Sequence, residues 1–253
     1  MRNPYTFTMS EVPAAPAELL PPPPPPPPPP ETPRAPGFDF GKPFTYVFED
    51  PRWLTKILVG GLFYLAGFFI IGWFFIFGYL ARVTRNVIAG LETPLPEWED
   101  LSEFFSEGAR LIAVGLCYVI PLFVLAMFFV VPSIMSDAVD NDALSAITGV
   151  FTGCLSCLLV PVALLVAFFL PASLLFAIVE QRFGAAFEFR ERIWPFIKAN
   201  IGNYLLAIVI YFIARFIAGF GIVLLCIGVV FTGFWSFLIM AHGFAQSYKF
   251  RRA

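Results

Sequence analysis

The chain has 253 residues, of which 58% are hydrophobic and only 13% charged, with a formal net charge of −2. Soluble domains carry about 25% charged residues, so this composition excludes a soluble globular protein. No basic block of the size that nucleic acid would need is present, and nucleic-acid binding is set aside.

In chain order, residues 1–43 form a proline-rich tail, expected to be disordered, and Pro21–Pro30 is an unbroken run of ten prolines. Proline lacks the N–H and fixes φ, so the run reads as a polyproline II rod of about 30 Å at 3.1 Å per residue. It is either a spacer or a docking site for a cytoplasmic proline-binding partner. A secretory signal needs a basic start and a short apolar core; the tail has no such core, and the first apolar block is expected to act as the targeting signal.

Residues 44–253 are expected to form the transmembrane domain, with apolar segments at about 54–80, 109–134, 143–179, 204–218 and 222–246. The first carries glycines at 60, 61, 67, 72 and 78. After it, Trp98, Leu101, Phe104 and Phe105 share a face at helical spacing, opposite Glu97, Asp100 and Glu103, which predicts an interfacial helix ending near Gly108. An acidic turn with Asp137, Asp140 and Asp142 follows the second segment. The third segment would make a helix of roughly 55 Å, so it either projects from the bilayer or breaks at Pro161 or Pro171. Phe187 to Lys198 alternates aromatic and charged residues and predicts a second interfacial helix. Gly219-Phe220-Gly221 reads as a turn between the last two segments.

Charge placement selects among topologies. Five simple spans with the N-terminus inside would leave 6 of the 16 Lys and Arg inside and 10 outside, against the positive-inside rule. A first segment that enters and returns on one side, hinged near Gly67–Gly72, puts 15 inside and one, Arg215, outside. Splitting the third segment at Pro161 gives 12 and 4. The same-side model is preferred: both termini cytoplasmic, four spans and a re-entrant first segment. Such a break survives at membrane depth only when buried in protein, so the hairpin should pack on later helices through its glycines. The two halves, each interfacial helix, span, outer turn and span, also suggest an internal repeat.

Few residues invite chemistry. Cys154 and Cys157 form a C-x-x-C inside an apolar helix without a second pair or a nearby His, which reads as packing. His242, the only histidine, lies four residues before Gln246 and shares a helix face with it; an interfacial hydrogen bond and a ligand site are both open. Arg215 either snorkels to headgroups or binds an anionic lipid or substrate. Arg215, His242 and Gln246 are thus the weak ligand or lipid candidates. The carboxylates Glu97, Glu99, Asp100 and Glu103 are read as solvent-directed, and no catalytic, cofactor or metal residue is assigned.

Phe48-Glu49-Asp50-Pro51-Arg52-Trp53, Gly78-Tyr79-Leu80 with Arg85-Asn86-Val87, Pro94-Leu95-Pro96-Glu97-Trp98-Glu99-Asp100 and Asn200-Ile201-Gly202-Asn203-Tyr204-Leu205 together resemble the bacterial and archaeal membrane family catalogued as domain of unknown function 4013. The resemblance covers roughly residues 44–252 and implies location and architecture, with no catalytic residue to carry over. The expectation is an all-α polytopic transmembrane helical bundle of the cell membrane, with two cytoplasmic interfacial amphipathic helices. Its expected role is that of a non-enzymatic scaffold or assembly component in contact with the bilayer, of unassigned oligomeric state. The alternative is a small-solute or lipid transporter, or a subunit of one, marked by a polar path through Ser133, Thr152, Ser156 and Asn203.

Overall fold

The computed structural model describes residues 37–137, 142–223 and 228–251. The run Pro21–Pro30, Asp140 and Cys226 lie outside the described residues, as do the side chains of Ser133 and Ser156. Among the described residues every regular element is helical, with no strand.

Residues 37–43, read from the sequence as the end of the tail, belong to the folded part. Asp39 accepts the backbone N–H groups of Gly41 and Lys42 on one carboxylate oxygen, at 2.8 and 3.2 Å, and Pro43 sits in the first turn of α1 (Lys42–Thr45). Both features start helices. A 3-10 turn, Tyr46–Glu49, continues α1, and the chain then bends by 109° into α2 (Trp53–Ala66).

The first apolar block is two helices. α2 stops at a 3-10 turn, Gly67–Phe69, and Ile70 takes φ 69° before α3 (Ile71–Ala89) begins. A β-branched residue in this region is strained, and Gly72 relieves the crowding beneath it, since a Cβ there would overlap the Phe63 carbonyl. α3 ends on Gly90 at φ 78°, with Gly90 and Leu91 donating to the Val87 and Asn86 carbonyls at 3.1 Å each, a left-handed glycine cap.

The stretch Leu101–Gly108, expected as a separate interfacial helix, is the start of α4 (Leu101–Asp137), which runs unbroken into the second apolar segment. Gly108 looked like a boundary in the sequence, but it is a packing residue: a Cβ there would overlap the Phe74 carbonyl, and one on Gly78 would overlap the Phe104 carbonyl. α5 (Asp142–Glu180) passes through both Pro161 and Pro171 as one helix of 39 residues, so the split at Pro161 is not adopted. Phe187–Lys198 is made of a 3-10 turn, a π turn at Phe189–Ile193 and the short α6 (Trp194–Ala199). It is amphipathic, with Ile193, Phe196 and Ile197 buried on the bundle and Phe189 and Trp194 exposed. α7 (Ile201–Gly219) and α8 (Gly228–Lys249) follow; Phe220–Val223, where the sequence suggests the turn and the start of the last segment, is a 3-10 turn.

Among the described residues four helical stretches are long and apolar enough to cross a membrane: Leu101–Phe128, Ser145–Glu180, Ile201–Ile222 and Gly228–Lys249. Their outward faces carry exposed apolar side chains such as Phe123, Phe128, Leu164, Phe212 and Phe216, as a lipid-facing surface requires. The hairpin of α2 and α3 packs on α8, and α3 also packs on α4 and α7 on α8. Tyr79, Trp98, Phe104 and Phe234 form the centre of the largest buried cluster.

Candidate functional site

The polar residues gather at one end of the bundle, where the hairpin feet, the start of α4 and the end of α5 meet. Lys56, on the first turn of α2, is buried together with Asp50, their side chains 6% and 4% exposed. Its ammonium donates to the Asp50 carboxylate at 2.7 Å and the Leu95 carbonyl at 2.8 Å, and lies 2.6 Å from a Glu97 oxygen. A buried cation persists when all its donors are occupied in this way. Arg52 reaches the same Glu97 oxygen at 2.9 Å. Glu97 therefore does not face solvent as expected but ties the Pro94–Trp98 loop to α2; Glu99 and Asp100 are exposed. The Trp98 ring stacks on Tyr79 at 4.1 Å and its Nε1 donates to the Lys56 carbonyl at 3.2 Å, while the Tyr79 hydroxyl donates to the Pro96 carbonyl at 3.0 Å. The most distinctive sequence motifs thus form one clamp around the buried Lys56 ammonium.

Beside the clamp, α3 and α4 carry a second ionic layer. Arg85 donates to Glu107 at 2.7 Å, Arg110 lies 3.9 Å from the other Glu107 oxygen, and Arg82 pairs with Glu103. Arg110 also donates to the carbonyl of Gln181 at 2.9 Å, the residue at φ 52° that ends α5. Next to it Arg182 bridges Glu180 and Glu188 at 2.8 and 3.1 Å, and Arg192 pairs with the same two carboxylates. The hydrogen bond to Glu180, with Glu188 alongside, holds the Arg182 guanidinium above its ordinary pKa.

Of the three candidate ligand residues, the structure brings His242 and Gln246 together and leaves Arg215 apart. Gln246 is fully engaged: Oε1 accepts the Asp39 N–H at 2.8 Å, while Nε2 donates to the Asp39 carbonyl at 3.2 Å and faces His242 Nδ1 at 3.1 Å. Because Oε1 must face the Asp39 N–H, the amide nitrogen faces the imidazole, and Nδ1 is the acceptor. The His242 ring lies 4.3 Å from that of Tyr46, whose hydroxyl donates to the Leu238 carbonyl at 3.0 Å. These residues border a cleft of about 490 Å³ that Lys42, Glu92 and Lys249 also line. Lys42 is paired with Glu49 at 2.7 Å. Nothing local in the sequence marks Tyr46 or Asp39, whose partners lie about two hundred positions away, and Lys56 stands out only as a lone cation one turn beyond Arg52.

Arg215 projects from α7 toward α8, with NH1 3.3 Å from the Ser236 hydroxyl and its guanidinium 5.4 Å from the centre of the Phe237 ring. Cys117, Cys154 and Cys157 are exposed on the apolar surface rather than packed in a core. Asn203 donates to the Phe250 carbonyl at 3.4 Å. A second cavity, about 290 Å³, lies inside the bundle among α3, α4, α5, α7 and α8, lined by Leu80, Thr84, Leu111, Leu174, Ile178 and Phe244 among others. Among the described residues no group of three or more His, Cys, Asp or Glu could hold a metal ion.

A family model described as a protein of unknown function, DUF4013, matches residues 61–227. No curated protein and no solved structure matches the chain.

Proposed function

Because the chain belongs to the DUF4013 family, whose description assigns no activity, we propose from the geometry that it is a non-enzymatic scaffold or assembly component of the cell membrane. In this reading both termini are cytoplasmic, four helices span, and α2 and α3 form a re-entrant hairpin. The observation that carries it is the charged end, where Lys56 ties the hairpin to the Pro94–Trp98 loop, Arg85 ties it to α4, Arg110 reaches the carbonyl at the end of α5, and Arg182 and Arg192 tie Glu180 to Glu188 ahead of α6. Gly37 and Lys249 line the same cleft at that end, which supports a common side for both ends of the chain.

The re-entrant reading draws support from limb length. Eleven residues separate Lys56 from Gly67, and eleven separate Ile71 from Arg82, which is about 16 Å of helix on each limb. Both limbs therefore bring the turn to about the middle of a 30 Å hydrocarbon core. Phe68 and Phe69 at the turn are 85% and 77% exposed, as lipid contact allows.

The experiment is affinity capture from membranes with the full chain and with a chain lacking Pro21–Pro30. Loss of specific cytoplasmic partners on deletion supports the scaffold; identical partner sets remove the docking role of the run. A second reading, a lipid-handling protein, is favoured over polar-solute transport by the apolar lining of the inner cavity.

A further inference from the structure

We propose that Arg82, Arg85 and Arg110 form the headgroup site of an anionic phospholipid, with one acyl chain in the apolar cavity among α3, α4, α5, α7 and α8.

The first observation is a surplus of buried cationic donors. Three guanidinium groups share two carboxylates, Glu103 and Glu107, leaving one positive charge in this layer. Arg82 Nε, Arg85 Nη1 and Arg110 Nε are shielded from solvent without a hydrogen-bond acceptor, and Arg110 Nη2 has only the Glu107 oxygen at 3.9 Å. Charged donors left without an acceptor are costly, and guanidinium groups pair readily with phosphate oxygens. The side chains keep an open edge, being 30%, 18% and 25% exposed. A headgroup can therefore approach while the hydrogen bonds to Glu107 and Gln181 persist.

The second observation is what lies one helical turn deeper. Ala81, Leu111, Ala177 and Ile178 pack in one buried cluster. Arg85 is four residues beyond Ala81, Glu107 four before Leu111, and Gln181 three beyond Ile178. Arg85, Glu107 and Gln181 therefore lie one turn beyond this cluster, while Arg82 and Arg110 adjoin it beside Ala81 and Leu111. Leu111 and Ile178 also line the 290 Å³ cavity, with Leu80, Leu174 and Phe244. Charged donors over an apolar cavity reproduce the two halves of a phospholipid. Basic pockets between spanning helices are a recognised setting for anionic headgroups. The cavity favours a lipid over free phosphate, which would occupy the guanidinium layer alone.

The test uses the full chain in a neutral detergent, titrated with phosphatidylglycerol, phosphatidylcholine or inorganic phosphate while the thermal unfolding midpoint is recorded. Phosphatidylglycerol should raise the midpoint, and the other two should leave it where it was. Arg110→Gln should weaken phosphatidylglycerol binding about tenfold, the loss of one charge-assisted hydrogen bond, and Arg110→Lys should weaken it less. Leu174→Trp, which fills the cavity and leaves every arginine in place, should lower the affinity for long-chain lipid and keep the protein folded. Arg215→Gln, at the other end of the spans, should bind as the native chain does. Equal shifts from phosphatidylcholine, the full shift from inorganic phosphate, or an Arg110→Gln or Leu174→Trp protein with native affinity would each overturn the proposal.

Discussion

Gly78 of α3 lies directly beneath the backbone carbonyl of Phe104 in α4, and four residues along each helix the relation is returned, with Gly108 beneath the carbonyl of Phe74. The two helices cross on backbone rather than on side chains, with the Phe74 and Phe105 rings stacked at 4.9 Å beside the contact. Small residues permit this approach between membrane helices.

Gly78→Ala should therefore destabilise the folded chain by about 1–3 kcal/mol, the usual range for overpacking, because the obstructing atom is backbone and cannot rotate away. Gly149→Ala and Gly153→Ala meet nothing within 4 Å and should be neutral or stabilising by up to about 1 kcal/mol through helix propensity. Unfolding of the three variants in one detergent checks the contrast; a Gly78→Ala protein as stable as Gly149→Ala would refute the crossing.

Lys56→Met leaves the buried Asp50 carboxylate without its cation, and breaking such a pair costs about 3–5 kcal/mol. Combining it with Asp50→Leu should recover part of that loss, since a matched apolar pair carries no stranded charge. Double-mutant unfolding measurements decide the point, and additive losses would mean that the two residues are not coupled.

Gln246→Leu removes both links to the Asp39 backbone and the contact to His242. Residues 37–45 should then be cleaved faster under limited proteolysis while the hairpin remains protected. Unchanged cleavage would show that α1 is held by other contacts.

A cysteine replacing Phe69, in a chain whose own four cysteines are changed to Ala, should resist a membrane-impermeant thiol reagent from both sides, whereas one replacing Glu92 should react from the cytoplasmic side only. Labelling at position 69 from outside would make α2 a span and end the re-entrant reading.

How far the sequence discloses this arrangement depends on the range of each signal. The spacing of His242 and Gln246 is local, and their side chains are 3.1 Å apart. The first apolar block is divided by Gly67 and Gly72, which the skewed placement of sixteen cations singled out, and α2 and α3 part between them. The start of α4 was misplaced because Glu103, Glu107 and Gly108 look like a polar interruption; their partners, Arg82, Arg85 and the Phe74 carbonyl, are on another helix. The same limit hid the clamp. Asp50, Lys56 and Glu97 lie in three segments, and nothing in any one of them says that the lysine is buried.

The first limb of the hairpin, α2, lies near the beginning of the chain, yet it packs on a helix near the end: a Cβ on Gly60 or Gly61 would strike the ring of Phe234 or Phe231 in α8. During synthesis these grooves are complete long before the rings that fill them leave the ribosome. α4 can cover α3 as soon as it is made, whereas the face of α2 that carries Gly60 and Gly61 has only lipid, or a chaperone of the insertion machinery, against it until α8 arrives. Truncation before Gly228 should accordingly expose the hairpin to membrane quality-control proteases, although every residue of the hairpin itself is intact.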